Sequence, residues 1–186
     1  MFTRCVDQEI SLALVQTSFA VQLEALAEQN FSYLSQWLPW PAKCKTQAQF
    51  AEFIQTALHG YADGKNMICG VLYQGKLVGM SGFNTINQIL KRAEIGYWLE
   101  ESAQGKGIMT RVCRALIGVA FNELGMHKVQ ISAATGNRRS RALCERLGAT
   151  LEGVITRAGV VNGVTLDHAV YGIHRREALD LITRAP

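Results

Sequence analysis

Between residues 67 and 99 three apolar segments of strand length follow one another with no room for a helical crossover. No other stretch restricts the fold so tightly. Residues 67–73 and 77–83 flank a short turn at Gln74-Gly75-Lys76, which predicts an antiparallel hairpin, and "AEIGYWL" at 93–99 predicts the next strand. A chain built around such a meander needs helices to cover its apolar faces.

The flanking sequence supplies them. Residues 10–15 read as a first strand. From about 18 to 37, Phe19, Leu23, Leu26, Ala27 and Leu34 recur near helical spacing, and the helix must stop before Pro39. Phe50, Phe53, Ile54 and Leu58 mark one face of a second helix over 46–62. After residue 107, Ile108, Val112, Leu116 and Val119 form the buried stripe of a third, with Arg111, Arg114 and Asn122 opposite. A strand over 128–134 precedes a fourth helix, capped by Asn137 and stopped at Gly148. Residues 151–161 and 164–173, joined by Asn162-Gly163, predict a second hairpin. The order is β-α-α-β-β-β-α-β-α-β-β: an α/β (α+β) chain with a mixed, mostly antiparallel central sheet and helices on both faces. Neither repeats nor low-complexity linkers interrupt it, so residues 1–186 read as a single domain.

The composition narrows the function. With a net charge of +4 the chain is less basic than a dedicated nucleic-acid binder, and direct nucleic-acid binding is not expected, though an anionic ligand is favoured. No apolar run approaches the ~18 residues of a membrane span. Asp7 and Glu9 stand where a secretory leader would be basic. Five dispersed cysteines, without C-x-x-C pairs or zinc-like histidine spacing, read as reduced thiols of a cytoplasmic protein with no metal.

Gln104-Gly105-Lys106-Gly107 lies between a strand and a helix start, where unpaired N–H groups and the helix dipole can bind phosphate. The spacing fits neither a P-loop nor G-x-G-x-x-G, so an anion site and a plain turn both remain open. With its surroundings the stretch resembles motif A of the GNAT superfamily of N-acetyltransferases, Q/R-x-x-G-x-G/A. Gln104, Gly107 and Ile108 fit, with Gly105 and Lys106 between, and Met109 departs at the last position, as in the ribosomal-protein N-terminal acetyltransferase (RimJ/RimL-like) branch. "AEIGYWLEESAQGKGIMT" (93–110), N-x-x-S at 137–140, "RLGATLEG" (146–153) and "WLPWP" (37–41) extend the resemblance over nearly the whole chain.

The resemblance implies an acetyl-CoA-dependent N-acyltransferase. The motif A amides, from Gln104 to Thr110, would hold the CoA diphosphate. The strand carrying Tyr97, Trp98 and Leu99 would pair with the pantetheine arm, and Asn137 would bond that arm from the other side. Arg138, Arg139 and Arg141 crowd a helix start, where a nearby anion would offset their opposition to the dipole; Arg141 is the one assigned to the cofactor, and a solvated basic face is the alternative. Ser140 is the candidate acid toward the leaving thiolate, because Cys144 stands where many members have a tyrosine. In serine-acetylating members an acid followed by an aromatic sits on the last hairpin, where this chain has Gly159 and Val160, so Glu94 is the candidate base. Trp37 and Trp40 would wall the acceptor site, with a place in the core as the alternative. His168, alone on a strand, reads as structural.

The acceptor is expected to be the N-terminal α-amino group of a protein or peptide, a ribosomal protein in particular. An α-amino group is roughly a tenth neutral at pH 7, and a lysine side chain less than about a thousandth. A small amine such as an amino acid, antibiotic or polyamine is the alternative acceptor; a catalytically weak acyl-CoA-binding module is the alternative of another class. Homodimer formation is left open.

Overall fold

The computed structural model describes residues 2–176. Eight strands form one sheet in the order β1-β2-β3-β4-β5-β6-β8-β7. They are β1 (Thr3–Cys5), β2 (Ile10–Leu14), β3 (Met67–Tyr73), β4 (Lys76–Asn87), β5 (Arg92–Leu99), β6 (Lys128–Ala134), β7 (Thr150–Val161) and β8 (Val164–His174). The helices are α1 (Ala20–Gln29), α2 (Phe31–Leu34), α3 (Gln47–Ala62), α4 (Ile108–Asn122) and α5 (Arg138–Arg146). This is the mixed, mostly antiparallel architecture that the strand spacing predicts. Among the described residues no helix is long and apolar enough to cross a membrane.

Both predicted hairpins close through two-residue turns whose residues all have positive φ: Gln74 and Gly75 at 49° and 80°, Asn162 and Gly163 at 51° and 78°. That twist matches the right-handed twist of paired strands. Strand alternation, shifted once by a bulge where β4 passes Val71 and Leu72, then sorts the side chains into two cores. Val78, Phe83, Ile95 and Ile131 face α4 and α5 and pack with Val112, Leu116 and Phe121, whereas Leu77 and Met80 face α1 and α3 and pack with Leu23, Phe50 and Ile54. A capping box starts α3: the Gln49 N–H donates to Thr46 Oγ1 and the Thr46 N–H to Gln49 Oε1.

Two features differ from the sequence expectation. The exposed edge strand β1 carries no alternation to reveal it. The helix expected over 18–37 is broken into a 3-10 turn, α1 and the single turn α2. Asn30 causes the second break: buried at φ −110° and ψ 14°, it donates through Nδ2 to Leu26 O (2.9 Å) and accepts the Glu101 N–H at Oδ1 (2.9 Å). Its side-chain amide adds a second donor to the Leu26 carbonyl and ties the end of α1 to the chain just after β5.

The consequential feature is a fork. Among the described residues β5 and β6 are the one parallel pair, and they stay together for only three positions, from Arg92 opposite Lys128 to Glu94 opposite Gln130. Beyond them β5 runs on to Leu99 and β6 to Ala134 without pairing each other, so the main-chain groups of residues 95–99 on that side have no neighbouring strand.

The base of α4 is fastened from outside. Arg111 Nη1 donates to Asp7 Oδ2 (2.8 Å) and Glu9 Oε2 (3.1 Å), and Nη2 to Lys106 O (3.4 Å). Burial opposes ionisation of Asp7, but the N–H groups of Glu9 and Ile10 together with Arg111 hold its carboxyl below the ordinary carboxylate range. The Arg111 bond, supported by Gln74 and Tyr73, does the same for Glu9. Carboxyls depressed in the folded state contribute stability that is complete above their unfolded pKa, about 4, and is lost as pH falls through the folded values. We therefore expect the melting temperature to drop below about pH 4. Arg111→Ala should flatten that acid limb and lower the pH 7 melting point by roughly 2–4 °C; thermal scans from pH 3 to 7 on both proteins read the difference.

Candidate active site

A cleft of about 990 Å³ opens where β5 and β6 part. Its walls come from five places. Residues 95–99 of β5 and Ile131, Ser132, Ala133 and Ala134 of β6 form the two arms of the fork. Gln104, Gly105, Gly107, Ile108, Met109 and Thr110 close one end, Asn137 to Ser140 and Leu143 cover one side, Tyr33, Leu34, Trp37, Leu38 and Pro39 wall the other, and His168 of β8 completes it.

The glycine loop has the backbone an anion needs. Gly105 and Gly107 adopt φ +75° and +70°, in the left-handed region, and a Cβ at either would meet no atom within 4 Å. Gly107 is the N-cap of α4 and offers no side chain to it. The first bond of the helix runs from the Arg111 N–H to Gly107 O (3.2 Å), which leaves the N–H groups of Ile108, Met109 and Thr110 without intrahelical acceptors. Lys106 does not line the cleft; its ammonium lies 5.6 Å from the Tyr73 ring centroid.

Asn137 caps α5 as expected, its Oδ1 accepting the Ser140 N–H at 3.1 Å. The three arginines after it separate. Arg138 and Arg139 line the cleft, and Arg139 donates to the Gln104 carboxamide. Arg141, the one singled out for the cofactor, turns away: Nε donates to Tyr171 Oη (3.0 Å) and Nη1 to Thr135 O (3.2 Å). Its bonds to Tyr171 on β8 and to the Thr135 carbonyl hold it outside the cleft.

Tyr97, read from the sequence as a main-chain partner for the cofactor, carries chemistry in its side chain as well. Its hydroxyl lies 2.7 Å from Ser140 Oγ. Burial pushes the phenol well above its ordinary range, so it stays protonated. Ser140 and Cys144 sit one turn apart on α5 and both reach this tyrosine. Burial likewise pushes the Cys144 thiol up to about 12, which removes it as a nucleophile at neutral pH. No sequence signal announces the Tyr97–Ser140 pair, because its members are 43 positions apart.

Glu94 lies outside the cleft lining. It shares a sheet face with Trp98, opposite to Ile95, and accepts the Ser132 hydroxyl at Oε1 (3.0 Å), so it reaches the cleft only through that serine. Trp37 lines the cleft, whereas Trp40 packs in the second core against Trp98 and Phe50, with ring centroids 5.4 and 6.0 Å apart. His168, read as structural, faces the cleft.

Among the described residues no group of three or more His, Cys, Asp or Glu is placed to hold a metal ion. A loop of free N–H donors, two arginines and an unpaired strand edge instead fit a long phosphorylated ligand that binds as an added strand.

Comparison with known proteins agrees. The profile of the family described as "Acetyltransferase (GNAT) domain" matches residues 17–150. The Bacillus subtilis (strain 168) protein YdaF, provisionally named a ribosomal N-acetyltransferase, is 38% identical over 178 residues, which are 95% of this chain and 97% of that protein. The microcin self-immunity acetyltransferase MccE, solved with acetyl-CoA and AMP, superposes at TM-score 0.86 with 31% identity, covering 91% of this chain and 94% of that one. RimL, a ribosomal alpha-N-protein acetyltransferase solved with coenzyme A, superposes at TM-score 0.90 with 28% identity, covering 95% and 99%.

Proposed function

This chain belongs to the GNAT family of acetyltransferases and transfers acetyl from acetyl-CoA to an amine, and on that premise we propose that the amine is the N-terminal α-amino group of a protein, a ribosomal protein in the first instance. The observation that carries the choice is the charge of the cleft. Among the described residues Glu101 is the one carboxylate that lines it, against Arg138, Arg139 and Arg146. A polyamine needs several carboxylates to replace its water, and three guanidiniums would repel it. A peptide presents a single cation and can lay its first side chains on the apolar wall of Trp37, Leu38 and Pro39. The names of YdaF and RimL point to the same acceptor class. The free thiols of all five cysteines support a reducing, cytoplasmic setting.

In this reading each residue has a task. The N–H groups at the start of α4 and the Gly105–Gly107 backbone hold the diphosphate, with Arg138 and Arg139 adding charge at the mouth. The free edge of β5 takes the pantetheine amides, and one of its N–H groups polarises the thioester carbonyl. Tyr97 donates its hydroxyl hydrogen to Ser140, which leaves the serine hydrogen free to be donated to the departing sulfur.

The test is a panel of free-N-terminal peptides, the same peptides with blocked α-amines, and spermidine, assayed at pH 7.5 for thiol release and product mass. The free peptides should be acetylated at the α-nitrogen with kcat/KM at least about tenfold above the blocked ones, as the neutral fractions of α-amine and lysine require. A preference for spermidine would sink the proposal.

A further inference from the structure

An amine that attacks a thioester must lose a proton, and the cleft has few groups able to take it. Its arginines are permanently charged and phenols arrive protonated. Glu101 opens the 3-10 turn that leads into Gln104, at the diphosphate end. Glu94 stands behind Ser132. Among the described residues the remaining lining residue with a proton-accepting side chain is His168.

Three features hold this histidine at the acceptor side. It stands opposite Ala134 at the end of β6 and so shares the sheet face of Ser132 and Trp98 rather than that of Tyr97. The next turn of chain carries Gly136, where an added Cβ would lie 3.3 Å from the Trp37 ring, so the aromatic wall comes down at the same corner. Thirdly, β7 bulges between Ile155 and Gly159, with Arg157 at φ +52° and its N–H donating to Asp167 Oδ1 (2.8 Å). The bulge lays Gly159 against the imidazole: a Cβ there would sit 3.2 Å from Nε2 and 3.4 Å from Cε1. Glycine at this position leaves room for the ring.

We propose that His168 is a catalytic residue that accepts the proton of the attacking amine, an assignment that rests on the acetyltransferase reading above. The nitrogen lone pair forms the C–N bond as the C–S bond breaks. The nitrogen's proton passes to the imidazole and a proton from Ser140 passes to sulfur. Thioester and amine become amide and thiol, and solvent returns a proton from His168 to the Ser140–Tyr97 pair.

Around the ring, β6 presents Ala134 and Ser132 with Glu94 behind them, β7 presents Ile155 and Gly159 with Arg157 in the bulge, and β8 carries Asp167. Arg138, Arg139 and Tyr33 line the same cleft. Neither strand partner in register with His168, Ala134 nor Ile155, is ionisable.

The test compares wild type, His168→Gln, His168→Ala and Gly159→Ala, using whichever amine of the panel the wild type accepts. His168→Gln should lose about 30-fold in kcat, below the usual range for general-base catalysis because an α-amine is itself partly neutral. Its acid limb should disappear while calorimetric acetyl-CoA affinity stays within twofold. Added imidazole should restore part of the His168→Ala rate, and Gly159→Ala, which displaces the ring without removing it, should lower kcat several-fold. A His168→Gln rate within twofold of wild type with an unchanged pH profile overturns the assignment, as does failure of imidazole to rescue. The same variants are read on the slow hydrolysis of acetyl-CoA, where water replaces the amine. A protein that accepts no amine then refutes the functional reading, while His168 is still judged by hydrolysis: a histidine-dependent rate upholds its role as proton acceptor and an unchanged rate overturns it.

Discussion

Gly107→Asp should lower acetyl-CoA affinity by at least about 100-fold and leave the melting temperature within a few degrees of wild type. The two halves of this result have separate causes. Position 107 is left-handed, at φ +70°, and open space surrounds its Cβ. Aspartate tolerates that conformation better than most residues, and a carboxylate at the start of α4 is favoured by the helix dipole by ~0.3–1 kcal/mol, which offsets the ~1–2 kcal/mol of backbone strain. The same carboxylate faces the place where two phosphate charges must settle. At a separation of about 5 Å and an effective dielectric near 20, each pair of like charges costs ~3 kcal/mol, and one such term is about 100-fold in Kd. Gly107→Asn separates charge from shape and should lose only about tenfold. Titration calorimetry of both variants decides the matter. An Asp variant that binds acetyl-CoA within threefold of the Asn variant would mean that no phosphate sits on this loop.

Ser140→Ala should reduce kcat by about 10²–10³-fold, the usual worth of a positioned general acid, with little change in acetyl-CoA affinity. The substitution is structurally mild, because the bond that caps α5 uses the main-chain N–H of position 140 and survives it. Tyr97→Phe removes the other hydroxyl of the 2.7 Å pair and should cost about tenfold. If the two act as one unit, the double variant will be no slower than Ser140→Ala alone, since the tyrosine has nothing left to orient. Additive losses, or a serine variant within threefold of wild type, would show that the leaving thiolate is protonated elsewhere. Burial pushes the Cys144 thiol, one turn away, up to about 12, so it stays protonated at neutral pH.

Local signals carried much of this protein. The meander over 67–99, the Asn162-Gly163 turn and the Asn137 cap were legible because each depends on residues within a few positions of one another. The break at Asn30 was less so. Its apolar neighbours keep a helical period through it, and the donor that its side-chain oxygen accepts, Glu101 N–H, is 71 residues away.

Sequence alone determined most of the elements and their order, apart from β1 and the break at Asn30, together with the bare loop before α4 and the family to which the chain belongs, because periodicity, turn chemistry and a motif read over adjacent residues are local properties. Tertiary structure decided which side chains meet. Strand pairing ends after Glu94, and from that fork follow the placement of Tyr97 against Ser140, the retreat of Glu94 behind Ser132, the turning of Arg141 toward Tyr171 and the entry of His168 into the cleft. Each depends on the face and register a strand or helix adopts against a distant neighbour, and a shift of one residue would reverse every such side.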